Sequence, residues 1–220
     1  MEKADISFFD PKADWTVIER GLPHWSQAGC VCFITWRVND SLPTEAMERM
    51  DRELASLRID AGLAPNGDWK QQLAQQGAKQ RGEIQWKLFT TRDKFLDEGF
   101  GACPLTDPRC SLIVLDSLQK FDMERYFLTD AVVMPNLVHF LCAFADHVQF
   151  LKQCTDWKRY TGRRINQTLG RCGEFWQVDQ FDHLIRSPDQ FEHYRRYIAR
   201  NPLEANLPHG TYLHFQKQLA

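Results

Sequence analysis

A tyrosine and an amide lie four residues apart near the end of this 220-residue chain, within Tyr197–Pro202. Four residues make about one helical turn, so Tyr197 and Asn201 should share a helix face. A phenolic oxygen can attack a phosphodiester and form a covalent phosphotyrosine link. An amide oxygen is a hard ligand that suits a divalent cation. The pair predicts phosphoryl-transfer chemistry on one helix face, although a tyrosine at helical spacing is also a common core residue.

A single histidine lies in an apolar segment, residues 137–144, that is typical of a buried strand. Strand side chains alternate, so Leu137 and His139 should point to the same side. Two histidines at these positions would hold one divalent ion, but here only His139 can donate a lone pair. A lone histidine in such a strand is also typical of a hydrogen-bonded core residue, and that alternative stays open.

Positive charge concentrates in residues 151–202, with ten Lys and Arg against six Asp and Glu, although the whole chain has a net charge of −2. The candidates for DNA binding fall in an earlier and a later group: Lys158, Arg159, Arg163 and Arg164, then Arg195, Arg196 and Arg200. Lysine and arginine neutralise phosphates, and aromatic rings stack on bases. The stacking candidates are Trp157, Tyr160, Phe175 and Trp176. A solvated helix surface is the alternative.

Apolar periodicity and turn residues predict one domain over residues 1–220. Strands are expected over residues 29–38, 126–134, 137–144 and 175–185, and helices over 45–63, 109–121, 147–169 and from Ser187 to near Pro202. Residues 1–28 form an N-terminal extension, 64–108 a helical insertion or lid, and 109–206 the histidine strand, basic helix and tyrosine helix. The order predicts an α+β, ferredoxin-like sandwich with helices packed on one face of an antiparallel sheet.

Several segments in this order resemble the REP-associated tyrosine transposases, a branch of the single-tyrosine HUH transposases. Residues 33–43 are similar to their first strand and turn, 132–139 to their metal motif and 157–166 to their long basic helix. Residues 175–186 and the tyrosine segment complete the likeness, which covers roughly residues 29–206 without the insertion. Leu137 is the departure, because it stands where the motif has its first histidine.

The resemblance implies a protein that acts on single-stranded DNA near palindromic hairpins, through a covalent 5′-phosphotyrosine intermediate. It assigns the nucleophile to Tyr197 and a Mg²⁺ or Mn²⁺ ion to His139 and Asn201. It also implies single-stranded or hairpin DNA as the partner, and a monomer or homodimer. Because Leu137 removes one ligand, binding of the ion and catalysis should weaken; even changes outside the ligand set typically cost ~10–100-fold.

Three hypotheses about function stay open. The first is an enzyme with weakened strand cleavage, and the second is a catalytically inactive, domesticated protein that still binds DNA. The third is a protein-interaction role for residues 64–108, whose glutamine-rich sequence and Trp86 suit either a partner surface or a lid over a DNA groove.

The bulk composition favours a cytoplasmic protein. The chain has seven cysteines, and Cys30, Cys32 and Cys142 lie in apolar segments, which predicts reduced core residues rather than disulfides or a zinc site. No run of about 18 apolar residues occurs, and no apolar segment follows the charged N-terminus. Neither a membrane span nor a secretory signal is therefore expected.

Overall fold

The computed structural model describes residues 6–19, 23–39, 44–97 and 101–219, which contain six α-helices and seven β-strands. The strands are β1 (Thr16–Glu19), β2 (Pro23–Ser26), β3 (Val31–Arg37), β4 (Tyr126–Val133), β5 (Leu137–Phe144), β6 (Phe181–Leu184) and β7 (Leu213–Gln216). The helices are α1 (Thr44–Asp60), α2 (Trp69–Gln75), α3 (Ala78–Asp97), α4 (Pro108–Gln119), α5 (His147–Leu169) and α6 (Pro188–Glu204). The chain divides into two compact units, residues 1–39 with 103–220, and residues 40–102.

The first unit is built on a five-stranded sheet in the order β6-β3-β5-β4-β7, and every neighbouring pair is antiparallel. In chain order its elements include β3, α4, β4, β5, α5 and β6, which is the βαββαβ sequence of a ferredoxin-like fold. The predicted α+β architecture with an antiparallel sheet is confirmed. Strands β1 and β2 form a separate two-stranded hairpin.

The helices of this unit lie on both faces of the sheet. Helices α4 and α5 share one core with the alternate strand residues Ile34, Trp36 and Phe140. Helix α6 contacts the intervening residues on the opposite face, among them Phe33 and His139. The expectation of helices on one face therefore describes α4 and α5 and not α6. The physical reason is that β3 and β5 are buried along their whole length, so both faces of the sheet must be covered.

Most elements lie where the sequence predicted them, and β5 and α5 have the predicted bounds. The last predicted strand is shorter, because only Phe181–Leu184 pairs with β3 as a strand. Helix α6 continues through Pro202 to Glu204. A proline lacks one N–H, and in the last turn of a helix this removes a single hydrogen bond.

The second unit contains α1, α2 and α3 and has small cores of its own. One core is formed by Met50, Leu54 and Phe95, and another by Leu63, Leu73 and Ile84. The predicted insertion of residues 64–108 overlaps this unit, which also includes α1, whereas residues 103–108 belong to the first unit. Among the described helices, none is both long enough and apolar enough to cross a membrane.

Candidate active site

Helix α6 begins at a complete N-terminal cap. The Ser187 side chain accepts a hydrogen bond from the backbone N–H of Gln190 (3.1 Å), and Pro188 occupies the first helical position. Residues three or four apart then form one buried face: Phe191, Tyr194, Ile198 and Asn201. Tyr197 lies at the edge of this face and is half-buried.

The central strands present a histidine to this helix. Thr35 of β3 and His139 of β5 are cross-strand neighbours, and the Thr35 hydroxyl lies 2.8 Å from Nδ1 of the imidazole. The ring of Phe33 stacks beside the imidazole with the centroids 5.3 Å apart. These two contacts fix the orientation of the His139 ring, which is completely buried.

The structure brings the three predicted site residues together. Nδ2 of Asn201 lies 3.4 Å from Nε2 of His139, near the long limit for a hydrogen bond. The rings of His139 and Tyr197 are 5.5 Å apart between centroids and meet edge to face at 62°. A phenol, an imidazole and an amide therefore form one cluster between α6 and the sheet, which we call the tyrosine cluster.

The imidazole of this cluster is neutral at physiological pH. Burial lowers the pKa of His139 well below its usual 6.5, and the positive charge of Arg37 lowers it further. A neutral imidazole has one donor nitrogen and one acceptor nitrogen. His139 can therefore orient a phenol or a phosphate by hydrogen bonding, but the low pKa makes it a weak base.

The cluster does not contain a complete ligand set for Mg²⁺ or Mn²⁺. Oδ1 of Asn201 is buried and, among the described residues, has no hydrogen-bond partner, so it is the oxygen best suited to a cation. Leu137 is fully buried and offers no lone pair. Within the described part of the chain, no three His, Cys, Asp or Glu side chains are grouped so that they could hold a metal ion. Since hard cations take about six oxygen ligands, one amide and one imidazole fit poorly.

A second histidine on the same sheet face does not complete the set. His183 lies on β6, and β3 separates that strand from β5, which corresponds to ~9–10 Å between the two strands. Burial lowers the pKa of His183 to about 4. Its Nε2 lies 3.1 Å from Nε2 of Gln190, whose amide can donate to it. His183 is thus a neutral, half-buried residue with a hydrogen-bond partner of its own.

Four of the predicted DNA-binding residues lie on α5. Arg159, Arg163 and Arg164 are exposed and can reach a phosphate backbone. Lys158 instead extends to the loop that precedes β6, where its Nζ lies 3.1 to 3.3 Å from the carbonyl oxygens of residues 177–179. Three successive backbone acceptors hold this ammonium group, which gives Lys158 a structural role.

An open groove of about 680 Å³ runs between α5 and residues 171–180. Arg159 and Arg163 line it together with Arg171, a residue that the sequence did not single out. Gly170 has the left-handed conformation that ends α5 and turns the chain back, which brings Arg171 to the groove. Four Lys and Arg side chains line the groove against two Asp and Glu, so it favours an anionic ligand.

The basic residues of α6 differ from one another. Nε of Arg195 lies 3.1 and 3.2 Å from the two carboxylate oxygens of buried Asp130, and Nη2 of the same side chain donates to the carbonyl of Lys217 at 2.9 Å. Arg196 and Arg200 are exposed, and Arg200 lies 3.7 Å from a surface carboxylate. Arg196 and Arg200 can therefore contact a phosphate near the tyrosine cluster, whereas the guanidinium of Arg195 is engaged inside the protein.

Most of the aromatic candidates for base stacking lie in the core. Trp157, Phe175 and Trp176 are 3%, 4% and 5% exposed, and the ring of Trp157 lies 5.7 Å from that of Trp36. The expectation that these three rings stack on bases is wrong, because they fill the space between α5 and the sheet. Tyr160 is 47% exposed and remains able to stack.

The basic groove and the tyrosine cluster lie on opposite faces of the sheet. The groove adjoins α5, which packs on the side of Trp36 and Phe140. The cluster lies under α6, on the side of Phe33 and His139. DNA bound at the groove and DNA bound at the tyrosine would therefore make two separate contacts with the protein.

Comparison with known proteins gives a fold-level likeness. No protein-family model matches the chain, and no curated protein matches it significantly. A solved structure of a REP-associated tyrosine transposase bound to a REP hairpin is similar, with 14% identity and a TM-score of 0.37. The likeness covers 81% of this chain and 69% of that one. The identity and the TM-score are both too low to assign a function by likeness.

Proposed function

We propose that this protein is a transposase-like DNA-binding protein that contacts single-stranded or hairpin DNA and cleaves it weakly through Tyr197. The observation that carries the proposal is the contact between Tyr197 and His139, with Asn201 beside them. It agrees with the roles that the sequence resemblance assigns to these three residues. The loss of a metal ligand at Leu137 is the reason to expect weak cleavage.

In the proposed step the phenolic oxygen of Tyr197 attacks phosphorus, and a 5′-phosphotyrosine bond forms as the bond from phosphorus to the 3′ oxygen breaks. The phenol loses its proton to water, and the departing oxygen takes up a proton from water. A free 3′-OH results, with no net change in protons. Attack by a 3′-OH on the phosphotyrosine reverses the step and joins strands, which is strand transfer.

Access to the cluster limits this chemistry. His139 is 0% and Asn201 2% exposed, whereas Tyr197 is half-buried and reaches solvent. A phosphate can therefore approach the imidazole only if side chains that cover it move. The closed cluster favours a second candidate function, a catalytically inactive, domesticated protein that binds DNA through the basic groove of α5.

A covalent-adduct assay separates the two candidates. The protein is incubated with end-labelled single-stranded and hairpin oligonucleotides, in EDTA and in Mn²⁺, and then denatured and separated by size. We expect a slow adduct that is absent in Tyr197→Phe. Tyr160→Phe is the matched control, because Tyr160 is a more accessible phenol on the basic helix, and its adduct yield should equal that of the wild type.

The same samples, before denaturation, report DNA binding. Binding without any adduct supports the inactive DNA-binding protein and rejects the enzyme. Neither binding nor adduct with any oligonucleotide rejects both. An adduct that survives in Tyr197→Phe rejects the assigned nucleophile.

A further inference from the structure

An arginine lies beside the position where the metal motif lacks its histidine. Arg37 of β3 and Leu137 of β5 are cross-strand neighbours, two pairs along from Thr35 and His139. Side chains of directly paired residues point to the same face, and residues two apart on a strand share that face. The face that carries the Thr35–His139 contact therefore also carries the side chains of Arg37 and Leu137.

The arginine is part of the interior of this face. Arg37 is 6% exposed and Leu137 0%, so the charged side chain and its apolar cross-strand neighbour are both buried. Arginine is rarely buried to this extent, and its guanidinium keeps its charge at every physiological pH. The positive charge of Arg37 acts on His139, because it is one of the causes that lower the pKa of that imidazole.

A guanidinium can supply what a divalent ion supplies to a scissile phosphate. Arginine binds phosphate oxygens through two parallel N–H donors, and these charge-assisted hydrogen bonds are about twice as strong as neutral ones. Fixed donors of this kind stabilise the charge that develops on phosphate oxygens during phosphoryl transfer.

We propose that Arg37 holds the scissile phosphate in the tyrosine cluster and takes the role that the sequence resemblance assigns to Mg²⁺ or Mn²⁺, so that cleavage needs no metal ion. This inference rests on the proposed function of Tyr197. Arg37 neither gains nor loses a proton in the step, and the bonds that form and break are those already described. Leu137 removes a metal ligand, and the buried Arg37 on the neighbouring strand supplies a positive charge in place of the metal ion. The two residues then belong to one change of mechanism.

The first test is the metal dependence of the unaltered protein. The yield and rate of the Tyr197 adduct are measured in EDTA and across a Mn²⁺ titration. We expect the two rates to agree within about twofold. An adduct that forms in Mn²⁺ and disappears in EDTA overturns the role of Arg37 while the proposed function stands.

The second test changes the arginine. Arg37→Gln should lower the adduct rate in EDTA by about 100-fold, the usual cost of one transition-state donor. Arg37→Lys should lose less, because it keeps the charge without the fork of donors. Arg109→Gln is the matched control, since this exposed arginine pairs at the surface with Asp107 and should react as the wild type does. Circular dichroism and thermal melts establish that each variant is folded before its rate is compared.

A third variant tests the exchange of one cation for the other. In Arg37→Gln/Leu137→His, a second imidazole joins His139, and we expect cleavage to return only in the presence of Mn²⁺.

If the wild type binds DNA without forming an adduct, the DNA affinities of the wild type and of Arg37→Gln in EDTA are compared instead. A drop of about tenfold or more in Arg37→Gln supports the phosphate contact, and an unchanged affinity overturns it. Absence of both adduct and binding overturns the inference together with the proposed function.

Discussion

Asp130 shows how a single buried charge organises the face under α6. A β-bulge between Leu128 and Asp130 shifts the register of β4 and turns this carboxylate towards the helix. Its side chain is 0% exposed, and it accepts hydrogen bonds from Arg195 and from Nε2 of Gln216 at 2.8 Å. Because the bulge points Asp130 at α6, Arg195 pairs with this carboxylate and is a structural residue, whereas Arg196 and Arg200 of the same helix are exposed.

This assignment predicts unequal effects for two adjacent arginines. Arg195→Ala leaves Asp130 buried without its cation, and we expect a loss of ~3–5 kcal/mol in the free energy of unfolding. Arg196→Ala removes an exposed side chain and should change stability by less than about 0.5 kcal/mol. Urea titrations of both variants give the comparison. Equal stabilities would contradict a structural role for Arg195.

The lowered pKa of His183 predicts a loss of stability in mild acid. The pKa of His183 is lowered to about 4, so below its usual 6.5 the unfolded chain takes up a proton that the folded protein does not. The contribution of neutral His183 to the free energy of unfolding is complete above pH 6.5 and is lost as the pH falls towards 4. His183→Gln should reduce the slope of unfolding free energy against pH by about 1.4 kcal/mol per unit in this window. An unchanged slope in urea titrations from pH 4 to 7 would count against the assignment.

At the residue scale, the sequence predicted contacts that depend on local spacing and missed those that depend on register. Tyr197 and Asn201 share a face because of helical geometry, which four residues of sequence determine. The partner of Arg195 depends on a bulge in β4, and the neighbour of Arg37 depends on the pairing of β3 with β5. An arginine in an otherwise apolar strand was the available signal for Arg37.

At the scale of elements, a buried charged cluster joins the N-terminal hairpin to the edge of the main sheet. His24 of β2 is 3% exposed and contacts Asp182 of β6 through Nδ1, and its Nε2 lies 2.7 Å from Oδ1 of Asp179. The hydrogen bond with Asp182 raises the pKa of His24 above 6.5, although burial opposes the shift. Two carboxylates thus hold an imidazolium between β2 and β6.

This cluster predicts a pH dependence opposite to that of His183. Because the folded pKa of His24 is raised, its contribution is complete below pH 6.5 and is lost as the pH rises through the folded pKa. His24→Ala should cost ~3–5 kcal/mol near pH 6, since it leaves Asp182 buried without its cation. Thermal melts at pH 6 and pH 9 test this. A variant that loses as much stability at pH 9 as at pH 6 would refute the charged form of the cluster.

The elements that the sequence predicted are those with strong apolar patterns. β4, β5 and α5 have long apolar runs or a clear helical period, and the structure gives them close to the predicted bounds. The short strands β1, β2 and β7 have four residues each, which is too few for a period to emerge. β7 forms by pairing with the free edge of β4, and this pairing is possible only once the rest of the sheet has formed.

At the scale of the whole first unit, basic residues occupy both faces of the sheet. The groove of α5 lies on one face, and Arg196 and Arg200 are exposed on α6, the helix that carries Tyr197 on the other face. A hairpin stem at the groove and an unpaired strand at the tyrosine would use both faces. The sequence placed these arginines on helices but could not assign the helices to faces, because that follows from tertiary packing.

Because the groove and the tyrosine cluster lie on opposite faces, we expect that DNA affinity and the rate of adduct formation can be changed independently. Arg163→Gln/Arg171→Gln removes two cations of the groove and should reduce the slope of log affinity against log salt by about one to two, since each phosphate contact contributes ~0.7–0.9. The adduct rate at saturating oligonucleotide should stay within about twofold of the wild type. Fluorescence anisotropy at several salt concentrations gives the slope. A slope that does not change would exclude the groove as the DNA surface.

We propose that the phenol of α6 attacks DNA. Mass-spectrometric peptide mapping can detect this attack, after the wild-type protein has reacted with a hairpin oligonucleotide and been digested with nuclease and protease. We predict one nucleotide-modified peptide, with the added mass on Tyr197. Modification of Tyr160 or Tyr212 instead, or no modified peptide from protein that binds the oligonucleotide, would contradict the claim.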